Sequence, residues 1–210
     1  MLQSFQTLAD TIGIELPERL AALLEIAERH PTALASLEDF FWIDAEQAKQ
    51  EIDEWLNPND QPGRTFLPFA TSGGGEHYCW VRLEDGASGV AQILHFGQTT
   101  SLAHADISAF ITSEYVRVAT NLSELAPRAD FGTVLMDEVA WVETVLAPKD
   151  YEYLQALFAR PCITMAYKAG PKSVEKTVQA FISQDEARDM LATLSNPRPR
   201  EFSALREWMR

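Results

Sequence analysis

The chain has few cysteines, few basic residues and no long apolar run. Its two cysteines, Cys79 and Cys162, cannot supply a disulfide framework or a zinc knuckle. No stretch of about 18 apolar residues is present, so we expect no membrane-spanning helix. The N-terminus lacks a basic segment followed by an apolar one, so we expect no secretory signal. These absences predict a cytoplasmic protein that neither crosses nor binds a membrane.

Acidic residues dominate the charge of the chain. Its 210 residues carry 31 acids against 17 bases, a net charge of −14. Nucleic acid is excluded as an expected partner because phosphate binding needs a basic surface. Residues 1–60 alone hold 13 acids and 3 bases, and therefore −10 of the −14. This asymmetry has two interpretations, which are simple solubility or an acidic face that steers a basic partner.

Hydrophobic periodicity divides the chain into a helical start, a β-rich middle and a mixed final third. Helices are predicted over 2–12, from Pro17 to about 30, and over 44–56, the last with Asp44 as its N-cap. Strands are predicted over 65–70, 77–83 and 90–96, and Pro68 indicates an edge position or a bulge in the first of them. The later predictions are a helix from Asp106 to Val118, a helix or strand over 133–146, a helix from Pro148, a hairpin of 163–169 with 173–182, a helix over 185–194, and a last short helix containing Phe202, Leu205 and Trp208.

The most distinctive local pattern is the triple glycine Gly73-Gly74-Gly75, followed by Glu76. Three glycines in a row are costly to order, which indicates unusual backbone angles or a close approach by another group. A phosphate loop would require a helix and a lysine or threonine after it, whereas here a strand follows and the next cation is Arg82. A tight turn and a loop presented to a protein partner remain as interpretations.

No pattern of catalytic or metal-binding residues stands out. Cys79 and Ser72 are the candidate nucleophiles, and His77 shares a strand face with Cys79, but no third orienting group is recognisable. The four histidines show no helical zinc spacing, so no metal site and no cofactor are expected. The aromatic run Phe40-Phe41-Trp42 is either core packing or an interface anchor.

Taken together, several short motifs over residues 10–120 resemble the SUKH superfamily, which includes the Smi/Knr cell-wall regulators of yeast and many bacterial immunity proteins. These motifs are Leu16-Pro17, Trp55-Leu56, Phe66-Leu67-Pro68-Phe69-Ala70, the glycine cluster with Glu76, Tyr78-Cys79-Trp80, Val90 to His95, Leu102-Ala103 and Asp106 to Ile111. Glu76 stands where the family often has aspartate, and residues 125–210 have no counterpart. The resemblance implies an α+β fold with a mixed, mostly antiparallel sheet flanked by helices. It also implies no catalysis and direct binding of a cognate toxin, often a nuclease.

We therefore predict a SUKH-like domain over 1–124 with a C-terminal α/β extension over 125–210. The predicted function is binding of a protein partner, a basic toxin domain, by a monomer or homodimer. The alternatives are a regulatory scaffold for an endogenous protein and a small hydrolase using Cys79 or a histidine. Exposed Tyr78 or Trp80 would anchor the partner. The predicted partner-binding residues are Glu38, Asp39, Asp44, Gly74, Gly75, Glu76, Tyr78, Trp80, Glu84 and Asp85.

Overall fold

A computed structural model describes residues 1–94, 99–123, 125 and 130–204. The chain forms two compact units. The first combines Met1–Thr32, Asp39–Ile107 and Ser195–Arg210, and the second combines Ala33–Glu38 with Ser108–Leu194. The division differs from a boundary at residue 124, because the chain leaves the first unit at Ile107 and returns to it after Leu194. The predicted α+β class is confirmed.

The first unit begins with the three predicted helices. They are α1 (Leu2–Ile12), α2 (Glu18–Arg29) and α3 (Ala45–Glu54). Helix α1 ends at Gly13, whose φ of 71° is the left-handed conformation that glycine adopts readily. Helix α3 begins after Asp44, whose carboxylate accepts a hydrogen bond of 2.8 Å from the Gln47 amide. Start and stop residues thus fix these helices as the sequence predicts.

A four-stranded antiparallel sheet forms the middle of the first unit. Its strands are β1 (Phe41–Trp42), β2 (Arg64–Thr71), β3 (His77–Leu83) and β4 (Ser88–Ile93), which lie side by side in that order. The register shifts between Pro68 and Ala70, so the predicted bulge is confirmed. The edge position for β2 is wrong, because the strand lies between β1 and β3.

A second, smaller ribbon joins the two ends of the first unit. It pairs β5 (Thr100–Ser101) with β8 (Glu201–Phe202). The predicted final helix is therefore wrong at Phe202, which is a buried strand residue with its ring 6.1 Å from that of Phe66. Tertiary pairing has overridden a local helical pattern here. The other residues of that predicted helix, Leu205 and Trp208, lie outside the described residues.

Both faces of the sheet are covered. One face contributes to a core cluster that also includes residues of β8 and of the segment after α3. Its buried members are Leu56, Phe66, Cys79, Val81, Ala91, Ile93, Leu102, Phe202 and Ala204. The opposite face holds an aromatic cluster in which the Phe40 ring lies 5.4 Å from Tyr78 and 6.5 Å from Phe69. Strand β3 is buried on both sides as a result.

The second unit is mainly helical. Its elements are α4 (Ile107–Val118), α5 (Phe131–Trp141), α6 (Pro148–Phe158), β6 (Ile163–Tyr167), β7 (Lys176–Ala180) and α7 (Gln184–Leu194). The segment with two interpretations, 133–146, is helical over its first part. The predicted hairpin is confirmed, since β6 and β7 pair antiparallel. Ser183 caps α7 by accepting a hydrogen bond of 3.2 Å from the Glu186 amide.

Two carboxylates are buried inside the second unit, each with hydroxyl partners. Glu138 accepts a hydrogen bond of 2.8 Å from the Ser36 hydroxyl and one of 3.3 Å from Tyr115. Asp150 accepts one of 2.6 Å from the Ser108 hydroxyl. Partners of this kind are what makes a buried carboxylate tolerable, so these pairs are structural.

None of the helices in the described ranges is both long enough and apolar enough to cross a membrane.

Candidate protein-binding surface

The glycine turn between β2 and β3 is held by a serine that the sequence marks only as a candidate nucleophile. The buried Ser72 hydroxyl accepts hydrogen bonds from the Gly74 amide at 3.2 Å and from the Glu76 amide at 3.1 Å. It also donates to the Glu76 carboxylate. Gly75 has a φ of 86°, the conformation that requires glycine here. The turn is therefore an ordered structure with an internal role for Ser72 and Glu76.

Asp39 fastens this turn to the strand that precedes α3. Its carboxylate accepts a hydrogen bond of 2.6 Å from the Gly73 amide, and its carbonyl oxygen accepts one of 3.4 Å from the Tyr78 hydroxyl. Asp39 itself has a φ of 58°, which aspartate tolerates better than most residues. The residue is exposed, yet part of its hydrogen-bonding capacity serves the fold.

Phe41 is the exposed aromatic residue at this end of the sheet. Its neighbours Phe40 and Trp42 point the other way and pack edge to face with ring centroids 5.0 Å apart. Phe41 of β1 pairs with Thr71 of β2 but leaves 55% of its surface accessible. A Cβ on Gly73 would lie only 3.7 Å from the Phe41 ring, so the ring borders the glycine turn. Strand alternation thus leaves one ring exposed and turns the other two to the covered face, where Phe40 is buried and Trp42 half-buried.

Tyr78 and Trp80 do not have the exposure expected of interface anchors, and that expectation is wrong. They are accessible to only 7% and 9%, because the face of β3 that they share is covered. The Phe40 ring lies against Tyr78, and the Tyr78 hydroxyl is engaged by Asp39. Because they are buried, these two side chains pack inside the first unit and are not exposed to a partner.

The predicted acidic residues do not all lie at one end of the sheet. Strand β3 separates the glycine turn from Glu84 and Asp85, and seven residues of strand span roughly 20 Å. Asp85 also has partners within the chain, since it accepts a hydrogen bond of 3.0 Å from the Ala87 amide and lies 3.1 Å from an Arg200 nitrogen. Glu84 and Asp85 are exposed, but they form a separate site from the glycine turn.

The remaining predicted residues divide between the two units. Asp44 is exposed, lies three residues beyond Phe41 and caps α3. Gly74 is exposed, and Gly75 and Glu76 are half-buried. Glu38 is exposed and belongs to the second unit. We call the set Asp39, Phe41, Asp44, Gly73 and Gly74 the Phe41 surface.

His77 and Cys79 lie on the same face of β3, and the structure adds a carboxylate to them. Glu51 of α3 places an oxygen 3.4 Å from His77 Nε2. The Cys79 thiol, however, is fully buried in the core cluster. Burial raises the pKa of the Cys79 thiol well above its usual value, and the nearby Glu51 charge raises it further. A nucleophilic cysteine needs a lowered pKa and access to substrate, so this environment is the opposite of a catalytic one.

Metal-binding side chains are not gathered at any point of the described chain. No group of three histidine, cysteine, aspartate or glutamate residues within 1–94, 99–123, 125 and 130–204 is placed to hold a metal ion. His95 lies outside these ranges. His104 bridges β4 through its backbone, which exchanges two hydrogen bonds with Val90.

Comparison of the chain with family models, with curated proteins and with solved structures found no match.

Proposed function

We propose that the chain is a non-enzymatic protein-binding module that holds a basic protein against the Phe41 surface of its first unit. The observation that carries this proposal is the exposed Phe41 ring, which is bordered by an ordered glycine turn and has Asp39 and Asp44 within three residues on either side. Aromatic side chains are enriched among residues that dominate binding energy. Carboxylates around such a ring add selectivity for a basic partner.

The rigidity of the surface supports the same role. Gly73 and Gly74 are fixed by hydrogen bonds to Asp39 and Ser72 before any partner arrives. A preorganised loop loses little conformational freedom on binding, so more of the contact energy appears as affinity. The absence of side chains at both glycines also lets a partner approach the backbone closely.

The net charge of −10 in residues 1–60 suits a partner that itself binds nucleic acid. In line with the resemblance to SUKH immunity proteins, we propose that this partner is a toxin domain encoded beside this chain. A regulatory scaffold for an endogenous basic protein would use the same surface, and an adjacent toxin gene distinguishes the two.

We place this binding in the cytoplasm, since both cysteines are free thiols.

The test is co-purification of the partner from the native host, followed by titration of the isolated partner with variants of this chain. Phe41→Ala removes the exposed ring without opening the core, and we expect it to weaken binding at least tenfold, about 1.4 kcal/mol. Isothermal titration calorimetry measures the change directly.

Leu94→Ala is the matched control, because Leu94 is an exposed apolar residue of the same unit at 41% accessibility and lies outside the Phe41 surface. It should bind as the wild type does. Equal affinities for the wild type, Phe41→Ala and Leu94→Ala would refute the proposed surface.

A further inference from the structure

Within the part of the chain that the structure describes, the hairpin of β6 and β7 in the second unit has one edge covered and one edge open. On the β7 side, the Leu122 amide donates to the Gln179 carbonyl at 3.0 Å, and the Phe181 amide donates to the Ala119 carbonyl at 2.8 Å. Gln179 therefore directs its backbone groups away from β6. The covered edge shows which residues of each strand point outward.

The same geometry identifies the outward groups of β6. In an antiparallel pair, two directly opposite residues either both point their backbone N–H and C=O groups toward each other or both point them away. Thr164 pairs with Gln179, so its N–H and C=O point outward, and the two-residue period extends this to Ala166 and Lys168. Thr164 and Ala166 are exposed. Within the described ranges, their outward backbone groups have no protein partner.

At Lys168 a side chain already bonds to the outward backbone groups of this edge. The Gln184 side chain accepts a hydrogen bond of 3.0 Å from the Lys168 amide and donates one of 2.9 Å to the Lys168 carbonyl. These are the two bonds that a residue of a neighbouring strand would make. The edge is therefore correctly oriented for strand pairing. Its outward backbone groups are paired at Lys168 and, among the described residues, open at Ala166 and Thr164.

The charge of the hairpin is opposite to that of the chain as a whole. Residues 163–180 contain Lys168, Lys172 and Lys176, three of the five lysines in the sequence, against the single acid Glu175. All three lysines are exposed, and Lys176 lies over the Tyr167 ring at 5.7 Å. Lysines near an open edge discourage pairing between two copies of the same strand. They favour an acidic segment instead.

We propose that the open edge of β6 binds an extended acidic segment of a partner protein, which adds as a third strand beside Thr164 and Ala166. Main-chain hydrogen bonds to these two residues would supply the affinity, as in other cases of strand addition. The lysines at the hairpin tip would select acidic residues at one end of the segment. This site is separate from the Phe41 surface and takes a partner of the opposite charge.

The probe is a nine-residue peptide of alternating threonine and valine with two glutamates at one end, and a second peptide carries the glutamates at the other end. Titration into the isotopically labelled full-length chain should shift the amide resonances of Thr164 and Ala166 and slow their hydrogen exchange. The peptide with N-terminal glutamates should bind at least tenfold more tightly than the other, because antiparallel addition, the more stable pairing, places the N-terminal end beside the lysines.

Two controls separate strand addition from surface attraction. The better peptide with N-methyl groups on alternate residues keeps every side chain, and the register that blocks the edge should lose at least tenfold in affinity. Ala166→Pro removes the outward N–H and should do the same without losing an internal hydrogen bond.

Lys172→Glu, in the exposed turn, tests the charge selectivity. It should weaken binding of the glutamate peptide without changing the fold.

Three outcomes would overturn the proposal. The first is the absence of binding by either peptide, and the second is binding that N-methylation in either register leaves unchanged. The third is a dimer of the free chain in light scattering that Ala166→Pro dissociates, which would make a second copy the occupant of the edge.

Discussion

At Gly89 two backbones of the first unit approach too closely for any side chain. A Cβ at this position would lie 2.4 Å from the His104 carbonyl oxygen. That oxygen accepts a hydrogen bond of 2.8 Å from the Val90 amide, so it cannot move away without breaking the bridge to β4. The residue is a glycine because of this close approach and not because of its backbone angles.

We predict that Gly89→Ala lowers the free energy of unfolding by about 1–3 kcal/mol, the usual range for overpacking. Urea unfolding followed by circular dichroism measures the change. Gly170→Ala is the control, since its Cβ would lie 3.7 Å from the Ser173 hydroxyl, an ordinary contact. Equal midpoints for the two variants would contradict this account of Gly89.

Single residues also show where sequence reasoning about the site fails. The alternation of β3 correctly puts Tyr78 and Trp80 on one face, but it does not say that Phe40 covers that face. Conversely, Phe41 emerges as the exposed ring only once β1 is paired with β2. Exposure depends on which distant segment lies above a strand, and local periodicity carries no information on that.

Among the elements, α3 combines a structural and a proposed functional role in one side chain. Asp44 caps the helix through the Gln47 amide and also belongs to the Phe41 surface. Asparagine caps a helix about as well as aspartate but carries no charge. The pair Asp44→Asn and Asp44→Ala therefore separates the two roles.

We expect Asp44→Ala to destabilise the chain by about 1 kcal/mol and Asp44→Asn to leave its stability nearly unchanged. Both variants should reduce affinity for the basic partner by similar factors, because both remove the charge. Thermal unfolding and calorimetric titration of the two proteins provide the measurements. Full affinity in Asp44→Asn would remove Asp44 from the binding surface.

Elements with strong end signals are the ones that the sequence predicts well. Helices α1 and α3 have a glycine stop or an aspartate cap, and the bulge in β2 follows from Pro68. The sequence does not predict strand β8, because this strand is two residues long and exists only through its pairing with β5. Such elements have no local signature, since their partner lies about 100 residues away.

For the molecule as a whole, the sequence predicts the α+β class but not the path of the chain. The C-terminal segment returns to the first unit after the second is complete, and Asn196 bonds to the Leu102 and Ala103 carbonyls there. A linear division of the sequence cannot represent an inserted unit. Charge, by contrast, can be read without structure, and it distinguishes an acidic first unit from a basic hairpin.

The most direct test of the proposed function is the rate at which the purified partner associates with the chain at different ionic strengths. Electrostatic steering between an acidic surface and a basic protein raises this rate and is screened by salt. Stopped-flow measurements between about 20 mM and about 500 mM salt should show the association rate falling at least tenfold, with a much smaller change in the dissociation rate. An association rate that does not change over this range would contradict the claim that the acidic first unit receives a basic partner.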